Sequence, residues 1–499
     1  MLKQVRQFIT ENLMLVIIMV CVTINILSRA YFDMSFISSD SAHYLRAARE
    51  ILRGNGFNVY PGWFAGWPIG YPVLIALVAF ITRTEIYLAS KILSIIIIWI
   101  IGILLYKRFG RLAWIYSLVM LNVGFRYIFY YTWSETVFIL GLFLLAFTVV
   151  DIITTDEALV SQYIRLTFIV LLLFMTRYIG AFALMIVGLL WLGNLGTALK
   201  NKCKLALLRL LYLSVSGIFS LVFISVYLLT NLNKTGYIAG IPRVPGGPMR
   251  ELFLDLFRAM MIEMDFAFDT FFSIGSARLA LLLWFVLIGF MWHGISKNKD
   301  AILNREKDII TTLCFILIGI IYLAAIIVMR FVSYFDDFGF RLLFPGTAML
   351  FIGFISLLVR NKKISEFVTQ LNGKVIPLVL ISGFLLMTLF FIPRLQGTSG
   401  YHKTKEAVLS TYELVPDGAL VLWGDIAHLL FMRDNLDALH QINGDDITSF
   451  FDEYSAYPEI YIFVPGLQTR LHETVDTESE LYSFFAQYLG SSDVFIRIK

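Results

Sequence analysis

Charge is what this 499-residue chain has least of: Asp, Glu, Lys and Arg make up 15% of it, against 59% hydrophobic residues. With a mean hydropathy of +0.78, that scarcity excludes a water-soluble chain. It also excludes disorder, which needs high charge and few apolar residues. A formal net charge of +4 over this length leaves no basic footprint for nucleic acid. Cysteine is nearly missing too. Its three copies, Cys21, Cys203 and Cys314, lie well before the C-terminal region, so that region would have no disulfide to form in an oxidising compartment. Neither GxGxxG nor GxxxxGK followed by Ser or Thr occurs there, and the chain shows no long-period repeat or low-complexity linker. What it has in abundance is long apolar runs, the mark of a polytopic membrane protein.

The charges divide unevenly. Residues Leu395 to Lys499 carry 6 Lys+Arg against 16 Asp+Glu, which leaves 34 against 20 for the first 394 residues. A basic transmembrane module, 1–394, is therefore followed by an acidic, water-compatible segment of domain length, 395–499.

A hydrocarbon core of ~30 Å takes roughly 20 apolar residues in a helix. Runs of this kind are Asn12 to Leu27, Ile86 to Tyr106, Leu112 to Tyr131, Thr136 to Val150, Leu166 to Met175 and Ile179 to Leu192. Further along come Leu205 to Leu229, Ala280 to Trp292, Ile309 to Met329, Leu342 to Val359 and Val375 to Ile392, giving about eleven crossings. Pro68 to Ile81 is shorter and opens with Gly66, Pro68, Gly70 and Pro72, so it reads as an interfacial or re-entrant helix. Lys3 and Arg6 place the N-terminus in the cytoplasm as an uncleaved anchor. The Lys107-Arg108-Arg111, Lys200-Lys202-Lys204, Lys297-to-Lys307 and Lys362-to-Lys374 clusters then all fall inside, as the positive-inside rule asks. The outer side receives a first loop, 31–85, a Pro/Gly-rich flap or surface loop, 231–275, and the acidic tail. Strands at Ala419 to Trp423, Glu459 to Val464 and Asp493 to Ile498, with a helix at Glu478 to Tyr488, give the tail an α/β pattern. The expected fold is an all-α polytopic membrane protein with a small C-terminal α/β extracytoplasmic domain.

Ionisable residues beside spans are costly, and here the notable ones gather at outer ends. Asp40, His43 and Tyr44 share a face at helical spacing in the first outer loop, Glu135 opens the fourth span, Arg177 sits between the fifth and sixth, and Arg341 opens the tenth. A carboxylate near an incoming hydroxyl can act as general base, while fixed arginines stabilise charge on a departing phosphate. Chemistry outside the cytoplasm has no nucleotide supply, so the activated group is expected on a lipid phosphate. Plainer roles exist beside these: Asp40 as a helix cap, Glu135 as a charge on a helix dipole, His43 as a packed side chain, and Arg341 as an anchor paired with Asp336 or Asp337.

The order Asp40-Ser41-Ala42-His43-Tyr44, Gly66-Trp67-Pro68-Ile69-Gly70-Tyr71-Pro72, Ser134-Glu135-Thr136, Thr176-Arg177-Tyr178 and Phe340-Arg341-Leu342-Leu343-Phe344-Pro345 resembles the GT-C glycosyltransferases. Within them it is most similar to the protein mannosyltransferase and aminoarabinose transferase branch. The resemblance implies transfer, with inversion, of a hexosyl or pentosyl group from a polyprenyl-phosphate sugar donor to a cell-envelope lipid, glycan or protein at the outer membrane face. It assigns Asp40 as base, Glu135 as the acidic residue of the second outer loop, and Arg177 and Arg341 as donor-phosphate ligands. His43, Tyr44 and Arg243 are further substrate-binding candidates. Ser41 stands where the family often has a second acidic residue, so a divalent metal (Mg or Mn) would have only Asp40 and Glu135 as ligands. The expected location is a prokaryotic plasma membrane, with the tail extracytoplasmic. The competing reading is a lipid-linked-glycan flippase or transporter. Such proteins place ionisable groups at the bilayer midplane and often show two similar halves, whereas the mid-span positions here read as apolar. A tail-anchoring assembly factor would leave Arg177 and the Asp40 loop without a role.

Overall fold

The computed structural model describes the chain except residues 1–11, 33–36, 60–61, 202–203, 240–243, 246, 264–273, 305, 335–336, 372–382, 384–400, 424–435, 440–441, 443–445 and 466. The chain forms two compact units. The first comprises Met1–Ile26, Phe64–Leu74 and Lys91–Thr388, and the second Leu27–Trp63, Ile75–Ser90 and Leu389–Lys499. The 395–499 segment thus shares its unit with parts of the first outer loop.

The principal helices are α1 (Leu13–Phe32), α2 (Ser39–Leu52), α3 (Gly70–Thr82), α4 (Ile86–Phe109), α5 (Val123–Tyr130), α6 (Glu135–Thr154) and α7 (Val160–Thr176). They continue as α8 (Ala183–Asn201), α9 (Lys204–Thr235), α10 (Met249–Ile262), α11 (Ile274–Lys297), α12 (Lys307–Val332) and α13 (Phe340–Val359). Among the described residues, seven helices are long and apolar enough to cross a membrane, beside shorter apolar helices at Gly70–Thr82, Val160–Thr176 and Leu282–Lys297. This is an integral membrane protein. Leu112 to Tyr131, read as one span, is broken: Asn122 leaves helical geometry and its side chain accepts from the Gly124 N–H, starting α5 afresh. Val375 to Ile392, apart from Gly383, lies outside the described residues. Pro68 to Ile81 forms α3, whose 13 residues reach ~20 Å at ~1.5 Å per residue, too short to cross.

Within the first unit, burial separates inner from outer helices. The apolar stretches of α6 and α13 are 78% and 83% buried, against 28% for α9, so α6 and α13 form the interior and α9 turns Ile218, Phe219 and Val226 outward. The loop after α9 is anchored, since strand β3 (Val244–Pro245) pairs antiparallel with β4 (Ser333–Tyr334). The Glu263 carbonyl also accepts from Asn122 Nδ2 at 3.1 Å.

In the second unit, α2 starts from an N-cap at Ser38, whose hydroxyl accepts from the Ser41 N–H. Strands β1 (Asn58–Val59) and β2 (Gly62–Trp63) form a short antiparallel pair after α2. The tail contributes β5 (Leu420–Leu422), β6 (Asp437–Leu439), β7 (Ile460–Phe463) and β8 (Phe495–Arg497). They form one four-stranded sheet in the order β6-β5-β7-β8, parallel except for β7–β8. Three of them fall where alternation placed strands. β6 is an addition, too short and too close to charged residues to stand out. Trp423, Phe450 and Phe485 pack edge to face over the sheet.

Candidate active site

Glu135 is the hub. Ser134 and Glu135 open α6, where an acidic side chain meets the positive end of the helix dipole. The side chain has no exposed surface, and its Oε1 accepts from Arg177 Nη1 at 2.6 Å and from Arg341 Nε at 2.6 Å. Oε2 accepts from the Ser134 hydroxyl at 3.3 Å. The arginine side chains keep 13% and 19% exposure, so both reach the surface from a dry anchor.

Each arginine is placed by its own local sequence. α7 ends at Thr176, whose hydroxyl turns back to the Leu172 and Leu173 carbonyls, and Arg177 follows in extended conformation. The turn then doubles back so tightly that a Cβ on Gly180 would stand 2.2 Å from the Leu173 carbonyl, a place only glycine can hold. Tyr178 donates to the Ala65 carbonyl at 2.6 Å, and a Cβ on Gly70 would lie 2.5 Å from the Met175 oxygen. The Gly66-to-Pro72 motif therefore packs directly on the Arg177 turn. Arg341 lies in the first turn of α13, and Pro345 sits four residues on. Proline has no N–H for the carbonyl four residues back, and the freed Arg341 carbonyl accepts from Arg177 Nη1 at 3.2 Å. Arg341 also lies over Trp133, 5.0 Å from the ring centroid, while Trp133 stacks on Tyr131 at 4.1 Å.

The structure thus brings Glu135, Arg177 and Arg341 together. Of the two neighbouring acids, Asp337 pairs with Arg330 at 3.4 Å, and Asp336 lies outside the described residues. Asp40, His43 and Tyr44 share α2 in the other unit. Ser38, not Asp40, caps that helix, and Asp40 occupies its first turn, half-buried. Tyr44 is fully buried and His43 half-buried. Arg243 lies outside the described residues.

Sequence reasoning passed over buried ionisable residues, Lys91 and Glu263 among them. Lys91, inside the apolar run of α4, is 1% exposed and donates to the Tyr130 carbonyl, while the Tyr130 hydroxyl donates to Asn25. A lysine within such a run was the signal. Glu263 is fully buried beside Thr347, whose hydroxyl donates to Oε2 at 2.6 Å. Nothing local to a loop glutamate reveals that.

The donor set does not fit a divalent ion. Glu135 spends its carboxylate on two guanidinium groups and a hydroxyl, and no group of three His, Cys, Asp or Glu with metal-binding placement occurs among the described residues. Two guanidiniums converging on one carboxylate gather fixed cationic donors at one place, which suits an anionic group.

The sequence matches no family model and no curated protein. Its structure is similar to that of ArnT from Cupriavidus metallidurans bound to undecaprenyl phosphate, with TM-score 0.51 and 12% identity over 92% of this chain and 95% of that one. The two chains share a fold. The apo oligosaccharyltransferase of Archaeoglobus fulgidus aligns with TM-score 0.49 and 11% identity over 93% of this chain and 71% of that one. The archaeal oligosaccharyltransferase AglB from the same organism, in complex with an inhibitory peptide and a dolichol phosphate, gives 0.46 and 11% over 92% and 70%.

Proposed function

We propose that this protein is a membrane glycosyltransferase that moves a sugar from a polyprenyl-phosphate donor to a cell-envelope acceptor at the outer membrane face. The observation that carries the reading is the shared Glu135 oxygen, 2.6 Å from both Arg177 and Arg341. A fully buried carboxylate orients two partly exposed guanidiniums, whose planar donors suit a phosphate. Glu135 in this reading positions the arginines and does not itself react. The undecaprenyl phosphate held by ArnT, a protein of the same fold, supports a lipid phosphate as the anion.

Asp40 accepts the proton of the acceptor hydroxyl as that oxygen attacks the anomeric carbon. The bond from that carbon to the phosphate oxygen breaks, and its electron pair leaves on the phosphate. Arg177 and Arg341 stabilise the added negative charge. One displacement inverts the anomeric centre.

The test is transfer from a panel of radiolabelled polyprenyl-phosphate sugars by protein in lipid, with donor binding followed separately. Wild type is expected to consume one donor, and Asp40→Asn to bind it without turnover. A fully active Asp40→Asn removes the base, and a wild type that neither binds nor consumes any donor removes the reading and makes a transport assay the next experiment.

A further inference from the structure

The second unit assembles three separated chain segments, and the ties between them are specific. Lys405 pairs with Glu85, and His402 meets Tyr31 edge to face at 5.4 Å. The third tie involves the helix that bears Asp40. In a parallel ladder both backbone groups of a residue face one neighbour, and the next residue's face the other side. The Asp437 N–H donates to Ala419 O at 3.1 Å and the Leu439 carbonyl accepts from the Trp423 N–H at 2.7 Å, so both turn toward β5. Ala438, between them, turns its carbonyl outward from the edge of the described sheet, where no ladder partner exists among the described residues.

Arg46 supplies the partner. From α2 its Nη1 donates to the Ala438 carbonyl at 3.1 Å, and its Nη2 lies 3.9 Å from Asp437 Oδ1. Asp437 is held in turn by the Tyr457 hydroxyl, which donates to Oδ2. The Arg46 side chain is 13% exposed and that of Asp437 28%, so solvent screens this pair less than an ordinary surface pair.

We propose that Arg46 is a positioning residue, clamping the helix that carries Asp40 and His43 to the edge strand of the C-terminal sheet, so that the sheet sets where Asp40 stands during the reaction. The inference rests on the reading of Asp40 as base. Asp40 lies roughly 9 Å from Arg46 along the helix axis at ~1.5 Å per residue, so a small pivot at the clamp moves the carboxylate. A displacement of about 1 Å at a reacting group can cost about a hundredfold in rate. The residues assigned to the donor phosphate belong to the other unit, so loss of the clamp falls on turnover and not on donor binding.

The test compares wild type, Arg46→Gln, Arg46→Lys, Asp437→Asn and Asp40→Asn as full-length protein in lipid. The substrates are the panel of radiolabelled polyprenyl-phosphate sugars, and amide exchange across residues 39–52 is read alongside. Arg46→Gln is expected to lower kcat by about tenfold to a hundredfold while donor KM stays within about twofold, and to speed exchange in α2. Arg46→Lys, whose ammonium still reaches the carbonyl, recovers most of the rate. If Arg46→Gln does not fold, Asp437→Asn, which spares the carbonyl bond, is read by the same kcat-against-KM split. Wild-type turnover in the Gln and Asn variants beside a dead Asp40→Asn overturns the clamp and leaves the base standing. An active Asp40→Asn overturns both.

Discussion

The helix Glu135–Thr154 carries a carboxylate held by two arginines near each of its ends, about 24 Å apart at ~1.5 Å per residue. At its N-terminal end one oxygen of Glu135 serves both guanidiniums at 2.6 Å with no exposed surface. At the other end Asp151 divides its oxygens, one 3.4 Å from Arg108 and the other 2.8 Å from Arg165, with Asp151 30% and Arg165 47% exposed. Asp151 sits where the helix dipole repels a negative charge, so its arginines offset a local cost. Glu135 sits where the dipole favours it and needs no such help. The same three charged groups are thus a structural anchor where water competes and a preorganised cationic site where it does not.

Glu135→Gln should separate the two ends most strongly. It leaves two guanidiniums without their anion, and a loss of about 3 kcal/mol or more in stability is expected, read as the thermal midpoint in detergent. Donor binding should be lost with it. An effect no larger than that of Asp151→Asn would erase the distinction.

Arg341→Ala sharpens it at the level of ligand binding. Donor KM is expected to rise about tenfold or more, while Arg108→Ala at the other end leaves it within about twofold. A parallel rise in both variants would argue for a general packing effect.

A third, smaller effect concerns Glu263, a buried carboxyl with no cation in hydrogen-bond reach among the described residues. Burial lifts it to about 8, against the pull of the Thr347 hydroxyl. The folded protein therefore holds a proton that the unfolded chain releases above about 4.3. Stability is expected to fall as pH rises from that value to about 8, and to be level above it. Glu263→Gln should flatten this slope between about pH 5 and about pH 8, measured as thermal midpoints. An unchanged slope assigns it to other groups.

Asp151→Asn is the smallest. Its own exposure and that of Arg165 limit the loss to about 1 kcal/mol or less, reduced further by salt. A large, salt-insensitive loss would mean that this end is as dry as the other.

Hydropathy locates most of the apolar helices, and the cost of charge beside a span is enough to single out Glu135, Arg177 and Arg341. Neither reveals that Glu135 is a holder of arginines, because that pairing joins residues 42 and 206 positions apart. Leu112 to Tyr131 reads as one span since apolar composition does not register a single asparagine whose side chain captures the backbone. β6 is illegible for another reason: its three residues carry too little alternation.

The sequence by itself determined the solvent of this protein, the placement of Glu135, Arg177 and Arg341 at the ends of apolar runs, and the local devices that aim them: the Thr176 back-bond, the Gly180 turn and the Pro345 gap. Those properties depend on neighbours a few residues away, which hydropathy, backbone freedom and a missing N–H express directly. Only the tertiary structure decided that two arginines share one buried oxygen, that Pro345 frees a carbonyl for Arg177, and that the tail joins the first-loop helix through Arg46 and Asp437. Each of these is a contact between distant segments, and its energy depends on burial and angle, quantities that no linear pattern carries.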